Sequence, residues 1–159
     1  MPPTFCRGDL ASEWGKADLF CFTVCSTLKK DGSLVMGRGM ARTVADKCPD
    51  APQELGEKVR DFSIANNNAA FYFLTHQLPD QKVGLFQTRL HFSHRARFDL
   101  IWSAINRLRS YAGNHSDHRI TMNFPGVGQE KLYPSEVMPL LMQLPDNVEI
   151  WSQPRSNQN

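Results

Sequence analysis

The chain has no pair of cysteines at C-x-x-C spacing: Cys6, Cys21, Cys25 and Cys48 stand apart, and no histidine follows at a zinc-ligand interval. That argues against a structural metal site, and the thiols read as reduced and mostly buried. The start, Met1-Pro2-Pro3-Thr4-Phe5, lacks the basic patch and apolar run of a secretory leader, and no stretch nears the roughly 20 apolar residues of a membrane span. A cytoplasmic protein is the expectation. Charge of one sign is also scarce: 18 Lys+Arg against 16 Asp+Glu leaves +2 over 159 residues. This is too little for a long nucleic-acid footprint but compatible with small anionic ligands. No G-x-x-x-x-G-K-[ST] stretch signals a nucleoside triphosphatase loop. Repeats, low-complexity tracts and linkers are missing too, so residues 1–151 are expected to form one domain followed by a flexible polar tail, 152–159.

What the chain does have is two glycine-rich turns, Met36-Gly37-Arg38-Gly39-Met40-Ala41 and Pro125-Gly126-Val127-Gly128-Gln129. Each stands where an apolar strand hands over to a helix. Glycine lets backbone approach an anion closely and take up positive φ, while the first N–H groups of the following helix point at negative charge. Turns of this kind also serve packing alone. Two of them in matching positions point to a ligand that carries phosphates.

The surrounding pattern predicts a short edge strand over Phe5–Gly8 and a strand over Asp18–Ser26 that is apolar on both faces, as in a sheet covered by helices on each side. Lys29–Leu34 reads as an exposed loop. Helices follow at Met40–Lys47 and from about Pro52, with Leu55, Val59 and Phe62 at helical spacing, and Asn66-Asn67-Asn68 marks a turn. Ala70–Thr75 and Lys82–Gln87 read as a hairpin, and Phe98–Tyr111 as an amphipathic helix with Ile101, Ala104, Ile105 and Leu108 on one face. A strand over Arg119–Phe124, a helix from Pro134 to about Met142 and a strand over Val148–Trp151 complete the set. About six strands interleaved with about four helices make an α/β protein, a three-layer α/β/α sandwich with a six-stranded mixed sheet. Ligands of such sheets bind at the carboxyl ends of the strands, where both glycine turns fall.

Among polar residues, Asp9 directly follows the first strand. It either caps the next turn or accepts a hydrogen bond from an exocyclic amine such as that of adenine. Glu130 is either a solvent-facing carboxylate paired with Lys131 or a general base. Arg89 is either a surface charge at a strand end or a cation that stabilises a departing anion. His91, Phe92 and His94 lie in the basic stretch Arg89–Arg97, read as a solvated loop or as a patch for single-stranded nucleic acid. Trp14 and Trp102 read as packing residues, and Trp151 as packing or as a neighbour of a nucleobase. His76, His115 and His118 are placed in turns without a role.

The order of Phe5-Cys6-Arg7-Gly8-Asp9-Leu10, of Val24-Cys25-Ser26 before Met36-Gly37-Arg38-Gly39-Met40-Ala41, and of Phe124-Pro125-Gly126-Val127-Gly128 resembles the macrodomain family of ADP-ribose-binding modules, from about Thr4 to Trp151. Leu85-Phe86-Gln87-Thr88-Arg89 and Gly126-Val127-Gly128-Gln129-Glu130 look most like the divergent branch of small macrodomains that hydrolyse ADP-ribose attached to acidic side chains or DNA bases. The resemblance implies a monomer without cofactor or metal, whose partner is ADP-ribose or an ADP-ribosylated protein or nucleic acid. It places Asp9, with Leu10, at the adenine, and the backbone of Met36, Gly37, Arg38, Gly39 and Met40 around the diphosphate. Gly126, Val127, Gly128 and Gln129 would wall the distal ribose, with Ser26 nearby and Glu130 as base. Arg89 stands where some members have a nucleophilic lysine, and a guanidinium stays protonated near neutral pH, so it cannot attack the anomeric carbon. Glu130 replaces the family aspartate, and Ser26-Thr27 replaces an asparagine-rich strand end.

Overall fold

The computed structural model describes residues 2–127 and 130–153. Six strands form one sheet: β1 Thr4–Arg7, β2 Leu19–Val24, β3 Phe73–Gln77, β4 Lys82–Gln87, β5 Ile120–Asn123 and β6 Val148–Ser152. Their order is β1-β6-β5-β2-β4-β3, with every neighbouring pair parallel except the β3–β4 hairpin. The helices are α1 Met40–Lys47, α2 Ala51–Asn66, α3 Phe98–Asn114 and α4 Pro134–Leu141, and a short 3-10 turn spans Leu10–Glu13. The mixed α/β sandwich expected from the sequence is the one observed.

The alternation within β2 sets the layers. Leu19 and Cys21 pack with α3 and α4 against one face of the sheet, while Phe20, Phe22 and Val24 pack with α1, α2 and Leu10 against the other. All five of the residues from Leu19 to Phe22 and at Val24 are buried, and each large apolar side chain so removed from water stabilises the fold by roughly 1.5–3 kcal/mol. Such a strand belongs at the centre of a sheet covered on both sides. The stripe Leu100, Ile101, Ala104, Ile105, Leu108 and Ala112 seats α3, the longest helix, by the same logic.

Several boundaries and placements differ from the sequence reading. β3 begins at Phe73 rather than Ala70, because the chain first turns through Asn67 and Phe71 at positive φ, with Asn68 Oδ1 accepting from Ala70 N–H at 2.9 Å. β6 runs on to Ser152, which pairs with Arg7, so the polar segment starts a residue later than expected; residues 154–159 lie outside the described ones. Lys29–Leu34 is a loop, but its last residue is fully buried beneath α2 and bridges to Leu28. His76 sits within β3, its Nε2 2.9 Å from Glu54 Oε1. Trp102, expected to pack, is 44% exposed on the outer side of α3. Trp14 does pack, edge-on against Phe20. No described helix is long and apolar enough to cross a membrane.

Candidate functional site

Because β1, β6, β5, β2 and β4 run parallel, their carboxyl ends share one edge of the sheet, and there a cavity of about 640 Å³ opens. Its volume lies in the range of small-molecule sites. The first glycine turn lines it from Met36 to Ala41, Thr23 and Asn123 come from the ends of β2 and β5, and Val127 and Glu130 add to its wall. Asn123 Oδ1 accepts from Thr23 N–H and its Nδ2 donates to Thr23 Oγ1, both at 3.2 Å, which ties the two strand ends together across the cavity floor.

The first turn has the properties of an anion cradle. Gly37 has φ +65°, and a Cβ at Gly37 or Gly39 would meet no atom within 4 Å, so packing does not require these glycines. Gly39 begins α1 without a side-chain cap, leaving first-turn N–H groups to face whatever fills the cavity. Arg38 of this turn, Arg95 from the 91–95 loop and Lys131 add positive charge around the opening.

The second turn is built differently. Gly126 has φ +80°, and a Cβ there would come within 2.9 Å of Leu132 Cδ1 and 3.0 Å of Ile101 Cδ1. This glycine lets the chain pass over α3, and of the described residues expected to wall the ribose only Val127 reaches the cavity. Gly128 and Gln129 lie outside the described residues.

Glu130 and Arg89 do come together. Glu130 is only 7% exposed, so it is neither solvent-facing nor the partner of Lys131. Thr88 Oγ1 donates a hydrogen bond to its Oε1, and Arg89 Nε lies 3.8 Å from the same oxygen. Burial pushes the Glu130 carboxyl above the usual carboxylate range, opposed by the Thr88 bond, the Arg89 charge and the Gly126 backbone. Arg89 is equally far from being a free surface charge: Nη1 donates to the carbonyls of Phe92 at 2.9 Å and His94 at 3.4 Å, which fastens the 91–95 loop over the site. That loop is fixed further by Phe92 N–H donating to Thr27 Oγ1 at 3.1 Å, and the His91 ring lies tilted against Phe92 with centroids 4.4 Å apart.

Three expected contacts stand outside the cavity lining. Asp9 Oδ1 accepts from Ala11 N–H at 3.0 Å and so caps the 3-10 turn; it shares the carboxyl edge of the sheet but sits at the end of β1, two strands from β5. Leu10 is 1% exposed, its side chain part of the core beneath α1 and α2. The Ser26 hydroxyl donates to Ala69 O at 2.8 Å and accepts from Gln87 Nε2 at 2.7 Å, so it serves a buried polar network that also holds Tyr72. Trp151 leans on Gly8 and donates from Nε1 to Glu149 Oε1 at 3.0 Å. Sequence reasoning missed Thr23, Asn123 and Thr88. The signal for them was a polar residue at or next to the carboxyl end of a strand: Thr23 before the last residue of β2, Thr88 just after β4, and Asn123 closing β5.

Among the described residues, no group of three or more His, Cys, Asp or Glu side chains is placed to hold a metal ion. The arrangement is instead a glycine-rich backbone turn and a buried carboxylate in the walls of one cavity, in an α/β/α sandwich whose cavity lies at the carboxyl strand ends, where such sheets bind ligands.

No protein-family model matches the chain, and no curated protein does. Solved structures do. The macrodomain of Thermus aquaticus DarG shares the fold with a TM-score of 0.68 at 20% identity, over 96% of this chain and 97% of that one. Thermosipho africanus DarTG in complex with ADP-ribose gives a TM-score of 0.71 at 18% identity over 95% of this chain, which spans 42% of that larger one. The Mycobacterium tuberculosis DarG macrodomain gives 0.67 at 18% identity, over 97% and 99% of the two chains. The fold is that of a macrodomain.

Proposed function

We propose that this protein binds ADP-ribose in the 640 Å³ cavity and hydrolyses the bond between its distal ribose and an attached group, either in an ADP-ribosyl conjugate or in ADP-ribose 1″-phosphate. The observation that carries this reading is the burial of Glu130 in the wall of the cavity that the Gly37–Met40 turn also lines, hydrogen-bonded by Thr88 and beside Arg89. The macrodomain fold shared with a DarTG that holds ADP-ribose supports the choice of ligand.

In this reading the backbone from Gly37 to Met40 takes the diphosphate, and Asp9 meets the adenine amine at the β1 end. Glu130, whose raised proton affinity suits a base better than an ordinary carboxylate, takes a proton from water as it attacks C1″. Arg89 offsets the negative charge of the departing carboxylate or phosphate. Its guanidinium forms no covalent adduct.

A second reading is a module that binds ADP-ribose without turning it over. It is favoured by the engagement of Arg89 Nη1 with two loop carbonyls, which leaves less of the cation for a leaving group. Calorimetric titration with ADP-ribose tests what both readings share; absence of heat or thermal shift at millimolar ligand would remove them together. Turnover of a panel of conjugates on acidic side chains, on DNA bases and of the 1″-phosphate then separates the two.

A further inference from the structure

On the outer side of α3 lies a hollow of about 580 Å³ that shares no lining residue with the cavity at the strand ends. Trp102 and Phe71 stand exposed in its walls, and Phe98 is exposed one helical turn before Trp102. Phe71 has φ +65°, a strained backbone for an aromatic residue, and yet it stays exposed. Aromatic side chains left in water beside arginines have the composition of an interface centre, not of an ordinary solvated helix face. Among the described residues, neither Arg107 in the wall of this hollow nor Arg109 beside it belongs to an ion pair.

We propose that this face binds a second copy of the chain, the two α3 helices packing antiparallel about a two-fold axis that crosses between Ala104 and Ile105. Asp99, Ser103, Asn106 and Ser110 stand at i, i+4, i+7 and i+11, which makes them one seam along the helix. In that register Asp99 of one copy meets Ser110 of the other, and Ser103 meets Asn106. Each pair joins a hydrogen-bond acceptor to a donor, and the small serines let the helices approach closely. The same two-fold keeps each flank of the helix on its own side, so Phe98 and Trp102 of one copy bracket Arg109 of the other, a guanidinium between two aromatic rings. Every contact occurs twice. A polyanion fits the face less well, because the Asp99 carboxylate stands in the seam and would oppose its phosphates. The resulting dimer replaces the monomer implied by the family resemblance and leaves the cavity at the strand ends open.

Sedimentation velocity of the whole chain tests this. The wild-type protein should pass from monomer to dimer with a midpoint on the order of tens of micromolar, as suits a small and largely polar contact. Trp102 is half-exposed, so Trp102→Ala should hold the melting temperature within about 3 °C while weakening dimerisation at least about tenfold. Arg109→Gln should weaken it about threefold or more by loss of the cation, and carries the test if Trp102→Ala melts early. Register is read by mild oxidation: a mixture of Asp99→Cys and Ser110→Cys chains should form a disulfide-linked dimer that neither variant forms alone. Position 99 faces 110 of the second copy, but lies about 16 Å along the axis from its own counterpart. A wild-type chain still monomeric at about 0.5 mM, a dimer that both substitutions leave intact, or crosslinking in either variant alone as readily as in the mixture overturns the proposal. So does a monomeric chain whose fluorescence is quenched by a single-stranded oligonucleotide only while Trp102 is present, which would assign the face to a polyanion.

Discussion

The two glycine turns occupy equivalent places, each after a parallel strand at the carboxyl edge of the sheet, yet their glycines serve opposite ends. Around Gly37 and Gly39 there is open space, so a side chain there would collide only with a ligand. At Gly126 the space is already filled by Leu132 and Ile101, so a side chain would collide with the protein itself. Both satisfy the same short motif. The first exposes backbone to a cavity; the second packs the chain down so that Glu130, four residues on, enters the cavity wall from a buried position. One turn lines the cavity with backbone and the other packs against the core.

The sharpest way to break this contrast is Gly126→Ala. The substitution adds a left-handed strain to a methyl group pressed within 3.0 Å of two core side chains, together about 2–4 kcal/mol. In a domain of this size the melting temperature should fall by roughly 10 °C. A melt unchanged within about 2 °C would show that the second turn is not a packing element. Next in size is Glu130→Gln, which keeps shape but removes the proposed base: under the hydrolase reading turnover should drop at least about tenfold with ADP-ribose affinity within a few-fold. Equal turnover would reject Glu130 as the base. Gly39→Ala reverses the first experiment. Gly39 has φ −47° and no near neighbours, so the melting temperature should move by no more than about 3 °C, while a methyl in the cradle should weaken ADP-ribose binding about tenfold by calorimetry. Weaker folding with intact affinity would invert the assignment of the two turns.

How far the sequence could be read follows the same division. Elements governed by periodicity were legible: α1 spans the expected residues, α3 carries the expected stripe, and β4 matches from Lys82 to Gln87. That Gly37 and Gly39 line a cavity accords with their place in a glycine-rich turn before α1. The purpose of Gly126 was not, since the residues it meets, Ile101 and Leu132, come from a distant helix and from beyond the described turn. Glu130 was legible as a candidate but not as buried, because its partners Thr88 and Arg89 are about forty residues away and reach it only through the β2–β4 and β2–β5 pairings. For Asp9, Leu10 and Ser26 the sequence did not show the local roles that the structure adds, a cap from Asp9 Oδ1, core burial of Leu10 and a polar network around the Ser26 hydroxyl.

The smallest effect concerns how finely the positioned carboxylate is tuned. A base acts only when ionised, so under the hydrolase reading turnover should fall as pH drops through the proton affinity of Glu130, which burial has raised, and the acidic limb should lie above the ordinary carboxylate range. The Thr88 hydroxyl bonds the charged form and pulls the other way. Thr88→Val removes that bond, so the limb should move to still higher pH, by about 0.7 unit for a hydrogen bond of ~1 kcal/mol, with little change in rate on the alkaline side. Thr88→Ser, which keeps the hydroxyl, should restore the wild-type profile. A Thr88→Val limb that stays in place, or moves toward lower pH, would mean that the hydroxyl does not stabilise the ionised base. The contrast between the turns would then lose its link from a packed backbone, through a buried carboxylate, to chemistry.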